Sequence, residues 1–159
     1  MQLFLGTHQH KVDGKGRLFL PKALLAGRGA EAGDSAGSEW VVTPGLDPCL
    51  YVFPRETFEQ ILEPREASAF EAQEYREAMR GLAFRSSFVQ LDKQKRLLLP
   101  EHLRREIALG EEATVVGCGR HIEIWEPETW ETIGRPRAEK GFQGLVKRFS
   151  KPPNTGAPS

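Results

Sequence analysis

An internal repeat limits what this chain can fold into more than any other feature. Residues 12–21 read VDGKGRLFLP and residues 91–100 read LDKQKRLLLP. Both run apolar residue, Asp, three residues, Arg, three apolar residues, Pro, at an offset of 79 (91 against 12). A second matched pair, FPRETFE at 53–59 and WEPETWE at 125–131, has an offset of 72 (125 against 53). Between these blocks run WVVTPG at 40–45 and TVVGCG at 114–119. The first copy therefore carries an insertion, most of it in the Gly/Ala-rich stretch 27–38, which reads as a flexible surface loop. Self-similarity of this kind means one supersecondary unit used twice. Half of 159 residues buries little surface alone, so the two copies are expected to share a core as a pseudo-dimer. The short strands leave sheet edges, which the other copy or a neighbouring chain must cover.

Each copy has the same local grammar. Arg17 to Leu20 is a short apolar strand, and Pro21 can open a helix because Pro is tolerated at the first helical position. Leu24 and Leu25 then face the core before Gly27. Trp40 to Thr43 and Cys49 to Phe53 read as strands joined by a turn at PGLDP. In the second copy Arg96 to Leu99 is a strand, and Pro100 opens a helix with Leu103 and Ile107 on one face, ended by Gly110. Ala113 to Val116 and His121 to Trp125 are strands, the latter alternating as a half-buried strand requires. The connector carries an apolar stripe of Phe58, Ile61 and Leu62 ended by Pro64. An acidic helix from about Ser68 to Leu82 follows, with Phe70, Ala78, Met79 and Leu82 inward. The expected organisation is half 1 at 7–56, connector at 57–84, half 2 at 85–128, a C-terminal helix or basic segment at 129–149, and a disordered tail at 150–159.

Charge has to be read by position. The 22 basic and 22 acidic residues cancel, which alone would argue against a nucleic-acid partner. What matters is where the charge lies. Residues 55–77 are mainly acidic, residues 93–96 hold Lys93, Lys95 and Arg96 with no acid, and residues 135–151 are basic with Glu139 as the one acid. No apolar run reaches the roughly 20 residues needed to span a membrane. The N-terminus lacks the pattern of a secretory signal. Cys49 and Cys118 read as buried reduced thiols in strands, with neither a disulfide nor a zinc site expected.

The two Asp-x-x-x-Arg turns carry the chemistry. Asp13 can accept backbone N–H groups two residues on, as in an Asx turn, while Gly14 and Gly16 allow positive φ. Lys15 then stands at the exposed tip, and Arg17 begins the strand within reach of Asp13. A guanidinium held in this way loses less entropy on meeting a guanine edge or a phosphate. Asp92, Lys93, Lys95 and Arg96 offer the same frame again. A two-stranded ribbon fits the major groove of DNA. One such turn on its own is an ordinary local ion pair worth little. Repetition raises the odds of function but also fits duplication of a folding element, and periodicity does not separate the two.

Four blocks, FLGTHQHKVDGKGRLFLP, LDPCLYVFPRETFE, QLDKQKRLLLP and VVGCGRHIEIWEPETWE, resemble the MraZ family of AbrB/SpoVT-class DNA-binding proteins in order and spacing, over roughly residues 3–131. The resemblance implies an α+β fold of two tandem AbrB/SpoVT-like swapped-hairpin halves, forming a pseudo-dimeric β-barrel with flanking helices. It implies a ring-shaped homo-oligomer in the cytoplasm, associated with the nucleoid. Its implied function is transcription regulation, typically repression of the division and cell-wall gene cluster through short tandem promoter repeats in double-stranded DNA. Neither a cofactor nor a small-molecule substrate is implied. The family's DNA-contacting motif maps onto Asp13, Lys15 and Arg17, and onto Asp92 and Arg96. Lys93 and Lys95 join the expected DNA-binding set, with Gly14 and Gly16 orienting the turn. Two departures stand out. Lys95 occupies the place where the family's second motif usually has Gly, making positive φ less comfortable there. The run from Phe84 to Asp92 is also one residue shorter than that from Phe4 to Asp13.

Other polar and aromatic residues have plainer readings. His8 and His10 lie along an extended segment leading into the first motif, within reach of DNA or simply facing solvent. His102 and His121 show no ligand partners at metal spacing. Phe53, Phe58, Trp125 and Trp130 at matched positions suggest core or interface packing. The rival to DNA binding is an oligomeric protein-binding scaffold. An enzyme is disfavoured, because no nucleophile–base pair, phosphate loop or metal cluster is legible.

Overall fold

The computed structural model describes residues 3–26, 38–63 and 72–150. Most of the Gly/Ala-rich insertion, Pro64, Phe70 and residues 151–159 lie outside the described residues. The first copy supplies β1 (Thr7–Lys11), β2 (Arg17–Phe19), α1 (Lys22–Leu25), β3 (Glu39–Pro44), β4 (Leu50–Pro54) and α2 (Arg55–Leu62). Helix α3 (Gln73–Ala83) leads into β5 (Ser87–Gln90), β6 (Arg96–Leu98), α4 (Glu101–Glu106), β7 (Glu112–Gly117) and β8 (Ile122–Trp125). The chain is thus α+β, with antiparallel pairing throughout its described sheets.

The strand order makes the repeat visible in space. One sheet runs β1-β7-β8-β4-β3-β5 and a second pairs β2 with β6. The six-strand order reads as a mirror: β1 matches β5, β7 matches β3, and β8 matches β4. Each copy lends its first strand to the other, since β1 pairs with β7 and β5 with β3. The two-stranded ribbon is centred on Leu18 opposite Leu97, which are repeat mates (97 against 18). Tyr51 and Glu123, mates at the other offset, face each other where β4 meets β8. Between β3 and β7, the equal bounds and similar burial patterns equate Trp40 with Ala113, an offset of 73 (113 against 40). Aligning WVVTPG with TVVGCG is therefore one residue out of step with the strands. Identity misled there because runs of valine can slide.

The core is apolar and drawn from both copies. Phe4, Leu18, Leu24, Trp40, Leu50, Leu97, Leu99, Leu103, Ile122 and Ile124 belong to one buried cluster. Leu18 and Leu97 face inward, while Arg17, Phe19, Arg96 and Leu98 lie outward or half-buried, as period-two alternation dictates. Phe4 packs on Trp40 with ring centroids 5.9 Å apart. Its repeat mate by sequence, Phe84, is 74% exposed and lies beneath the Arg85 guanidinium instead. Phe84 caps the end of α3, whereas Phe4 is bridged to Gly119.

Several helical expectations need correction. Helix α4 ends at Glu106, earlier than Gly110, and Ile107 lies at its cap. Ala108 takes the left-handed conformation (φ 52) that ends the helix. The N–H of Leu109 donates to the carbonyl of Arg104 (2.9 Å) and that of Ala108 to Arg105 (3.0 Å), the two bonds of a Schellman cap. Leu109 packs on the core, and that contact accompanies the strained cap residue. Helix α3 buries no residue fully: Ala78 is exposed, and Met79 and Leu82 are only half-covered. In α2, Ile61 is exposed while Thr57 is buried, and Phe58 meets Phe53 at 5.6 Å. Arg55 ties the start of α2 to Glu39 of β3 and to Glu59.

Residues 1–127 form one compact unit and residues 128–159 a second. In the second, a π-helical turn (Trp130–Gly134) continues into α5 (Arg135–Ser150). Helical structure therefore continues past Ile133, where the apolar pattern fades, and Arg135 bridges Glu131 and Glu139 along it. Among the described residues, no helix is long and apolar enough to cross a membrane.

Candidate nucleic-acid interface

Both Asp-x-x-x-Arg segments fold into the same carboxylate-centred turn. Asp13 Oδ1 accepts the N–H of Lys15 (3.0 Å) and of Arg17 (2.9 Å), and Oδ2 accepts Arg17 Nε (2.6 Å). Asp92 Oδ1 accepts the N–H of Gln94 and of Arg96, each at 2.9 Å, and Oδ2 accepts Arg96 Nε (2.8 Å). The main chain closes each loop, through Gly16 N–H to the Asp13 carbonyl and Lys95 N–H to the Asp92 carbonyl. The left-handed residue is the one just before the Arg: Gly16 at φ 87 and Lys95 at φ 63. Gly14, expected to share that role, has no positive φ. A turn bonded from the first residue to the fourth, with the left-handed residue last, explains this, because its central residues stay in ordinary conformations.

The carboxylates are held ionised. At Asp13 the Arg17 N–H leads, and despite an opposing cost of burial, the Arg17 guanidinium and the Lys15 N–H help bring the pKa down to about 2. At Asp92 burial opposes ionisation most strongly, yet the Arg96 and Gln94 contacts outweigh it and the pKa is still lowered. Each Arg remains paired through Nε. The Arg17 side chain makes no other hydrogen bond among the described residues, so its terminal nitrogens are available to an outside ligand.

The turns lie side by side. Leu20 N–H donates to the Lys95 carbonyl and Leu99 N–H to the Gly16 carbonyl, both at 2.9 Å, so each tip is tied to the opposite copy. Arg96 reaches within 3.9 Å of Asp13 and stacks over the ring of Phe19 at 5.7 Å. Arg17, Phe19, Arg96 and Leu98 thus share the outer face of one ribbon, flanked by the exposed side chains of Lys15 and Lys93 and the half-buried Lys95. The Arg17 side chain is 34% exposed and that of Arg96 19%.

One cation here escaped the sequence reading. Arg104 of α4 lies against Gly16, where an added Cβ would come within 2.5 Å of its guanidinium, and its Nε donates to the Leu99 carbonyl (3.0 Å). Gly16 is therefore favoured by its φ, and an added Cβ would also push aside the Arg104 guanidinium, the far end of a flexible side chain. The signal was faint, since Arg104 belongs to no motif and reaches the turn only through the helix that follows Pro100. His8 and His10 lie half-buried on β1, an edge strand, away from any motif hydrogen bond.

A second polar cluster brings together Cys118, His121 and Glu123, which no motif of the sequence joins. Cys118 is half-buried, just past the end of β7 rather than within a strand, while Cys49 is buried; both are free thiols. The ligand atoms of Cys118, His121 and Glu123 lie within 4.8 Å of one another. Glu123 Oε2 is 3.1 Å from His121 Nε2, and Oε1 accepts Trp125 Nε1 (2.9 Å). Burial, aided by the neighbouring Glu123 charge, pushes the Cys118 thiol up to about 12.

Known proteins match the whole of this frame. The family model described as MraZ protein matches twice, over residues 3–80 and 83–149. The Transcriptional regulator MraZ of Heliobacterium modesticaldum is 37% identical over 147 residues, covering 92% of this chain and 96% of that protein. Its namesake from Carboxydothermus hydrogenoformans is 38% identical, covering 80% and 84%, and the one from Cutibacterium acnes is 36% identical, covering 86% and 91%. Two tandem matches, one for each copy of the turn, and alignments spanning most of the chain place this protein in the MraZ family.

Proposed function

We propose that this protein is a sequence-specific, double-stranded-DNA-binding regulator of transcription. The observation that carries the reading is the paired turn: two carboxylate-held arginines on one ribbon face, with lysines at both tips. The ribbon enters the major groove, where Arg17 and Arg96 read guanine edges and Lys15, Lys93 and Lys95 meet phosphate. The names of its relatives support a regulatory role. The finer expectations belong to the same reading: a swapped-hairpin barrel, supported by the exchange of β1 and β5 between copies, and a homo-oligomeric ring joined through those two edges. Repression of a division and cell-wall gene cluster through tandem promoter repeats, and residence at the nucleoid in the cytoplasm, complete it. No catalytic step is part of it.

The test is titration of labelled duplex from upstream of the protein's own gene. Specific binding that falls steeply with salt is expected, because released counterions drive it. Arg17→Ala is expected to abolish specific binding while oligomer size stays unchanged. The scaffold reading draws on Phe19 and Leu98, large apolar side chains exposed on the same face. It gains if the duplex is ignored, or if Arg17→Ala breaks the oligomer instead.

A further inference from the structure

Hairpin geometry, not chance proximity, assembles the cluster at Cys118. Strands β7 and β8 pair as Val116 with Glu123 and Gly117 with Ile122. The Cys118 N–H then donates to the His121 carbonyl (2.9 Å), closing a two-residue loop of Gly119 and Arg120. Gly119 at φ 77 supplies the first left-handed position that such a loop demands. Cys118 is two residues from Val116 and His121 two from Glu123. Period-two alternation therefore puts Cys118, His121 and Glu123 on one face. That face is opposite the one through which Ile122 and Ile124 enter the core.

The three groups are held in place by their neighbours. Phe4 and Gly119 exchange backbone hydrogen bonds (2.7 and 2.9 Å), and the Gly117 N–H donates to the Gly6 carbonyl (2.8 Å), so the loop is clamped by the N-terminal segment. The His121 ring lies 4.5 Å from that of Tyr51 and 5.3 Å from that of Phe53. Trp125 Nε1 fixes one oxygen of Glu123, leaving the other turned to His121. The His121 and Glu123 side chains retain 22% and 13% of their exposure, so an ion can reach them from solvent.

We propose that Cys118, His121 and Glu123 form a binding site for a borderline divalent transition-metal ion, Zn2+ above all. One thiolate, one imidazole and one carboxylate are the three-ligand complement of a tetrahedral zinc site with its fourth position open. Ligand atoms around such an ion stand about 3.3–3.8 Å apart. The His121–Glu123 separation of 3.1 Å is already near this, and the remaining gaps, all within 4.8 Å, close with side-chain rotation about a fixed hairpin. On binding, the Cys118 thiol gives its proton to solvent and its sulfur pair to the metal, His121 enters neutral through Nε2, and Glu123 enters as carboxylate. Hard cations such as Mg2+ want all-oxygen shells and are rejected.

The full-length chain, reduced and stripped with chelator, is titrated with Zn2+ against a chromophoric competitor and, separately, with Co2+. One ion per chain is expected, with a thiolate-to-cobalt charge-transfer band and the visible bands of tetrahedral cobalt. Cys118→Ser should remove the charge-transfer band, and both Cys118→Ser and His121→Gln should weaken zinc binding at least tenfold. Cys49→Ala, which removes the other thiol, should leave the band intact. X-ray absorption on the zinc-loaded wild-type chain needs no variant, and should find one sulfur and two protein nitrogen or oxygen ligands. The assignment falls if no stoichiometric ion binds, meaning that the cluster is a hydrogen-bonded network only. It also falls if the bound ion sees no sulfur or two, or if the band survives Cys118→Ser.

Discussion

The two motif turns share every hydrogen bond at the carboxylate and differ at the tip. In the first, Gly16 sits at φ 87, outside the left-handed well open to L-residues, with Arg104 pressed against it. In the second, Lys95 sits at φ 63, inside that well. Arg17 is also the more exposed of the two arginines, while Arg96 is partly spent on Phe19 and on Asp13. Duplication kept the device that aims the guanidinium and let its surroundings drift. The constrained element is the carboxylate with its three donors; glycine is a local solution that only one copy needs.

Four experiments break or sharpen this contrast, taken in falling order of effect. Arg17→Ala should cost more than about a hundredfold in specific DNA affinity, at the upper end of what one bidentate base contact supplies. Arg96→Ala should cost less, and equal losses in a binding titration would erase the functional asymmetry. Next, Gly16→Ala should lower unfolding free energy by about 1–3 kcal/mol, through left-handed strain and loss of the Arg104 hydrogen bond. Part of that loss should return in an Arg104→Ala background, measured by denaturant titration. The third concerns acid. Asp13 ionises at about 2 in the folded chain against about 3.9 unfolded, so its contribution is complete above pH 4 and is lost as pH falls toward 2. Asp13→Asn keeps the backbone acceptor but should flatten that limb of the stability–pH curve, and Asp92→Asn should flatten it less. Finally, Lys95→Gly should shift stability by less than about 1 kcal/mol, since relief of strain and added chain entropy oppose each other. A large loss would mean that the lysine side chain itself holds the second turn.

Much of this was legible in the sequence, for reasons that can be named. Strands β2 and β6 and the helices after Pro21 and Pro100 follow from local pattern, and the Asp–Arg pairing follows from short spacing and turn chemistry. Non-local facts were not legible. Arg104 over Gly16 depends on how α4 packs, and the exposure of Phe84 on its place at the end of α3. The Schellman cap on Ala108 was hidden because Gly110 nearby looked like the better helix stop. The cluster at Cys118 could have been found. The string CGRH spells a two-residue hairpin loop with Cys and His directly opposed, but a search for metal spacing along a helix or knuckle passes over it.

The ribbon centred on Leu18 and Leu97 has a consequence for the kind of target such a chain suits. Two identical subunits meeting on a true axis have neither head nor tail, and favour palindromes. Here a single polypeptide supplies both arms, and the arms are unlike: Gly16 beneath Arg104 on one, Lys95 on the other. Covalent fusion therefore gives the surface a direction. On the proposed DNA-binding reading, such a surface, copied side by side, would suit sites repeated head to tail along one strand.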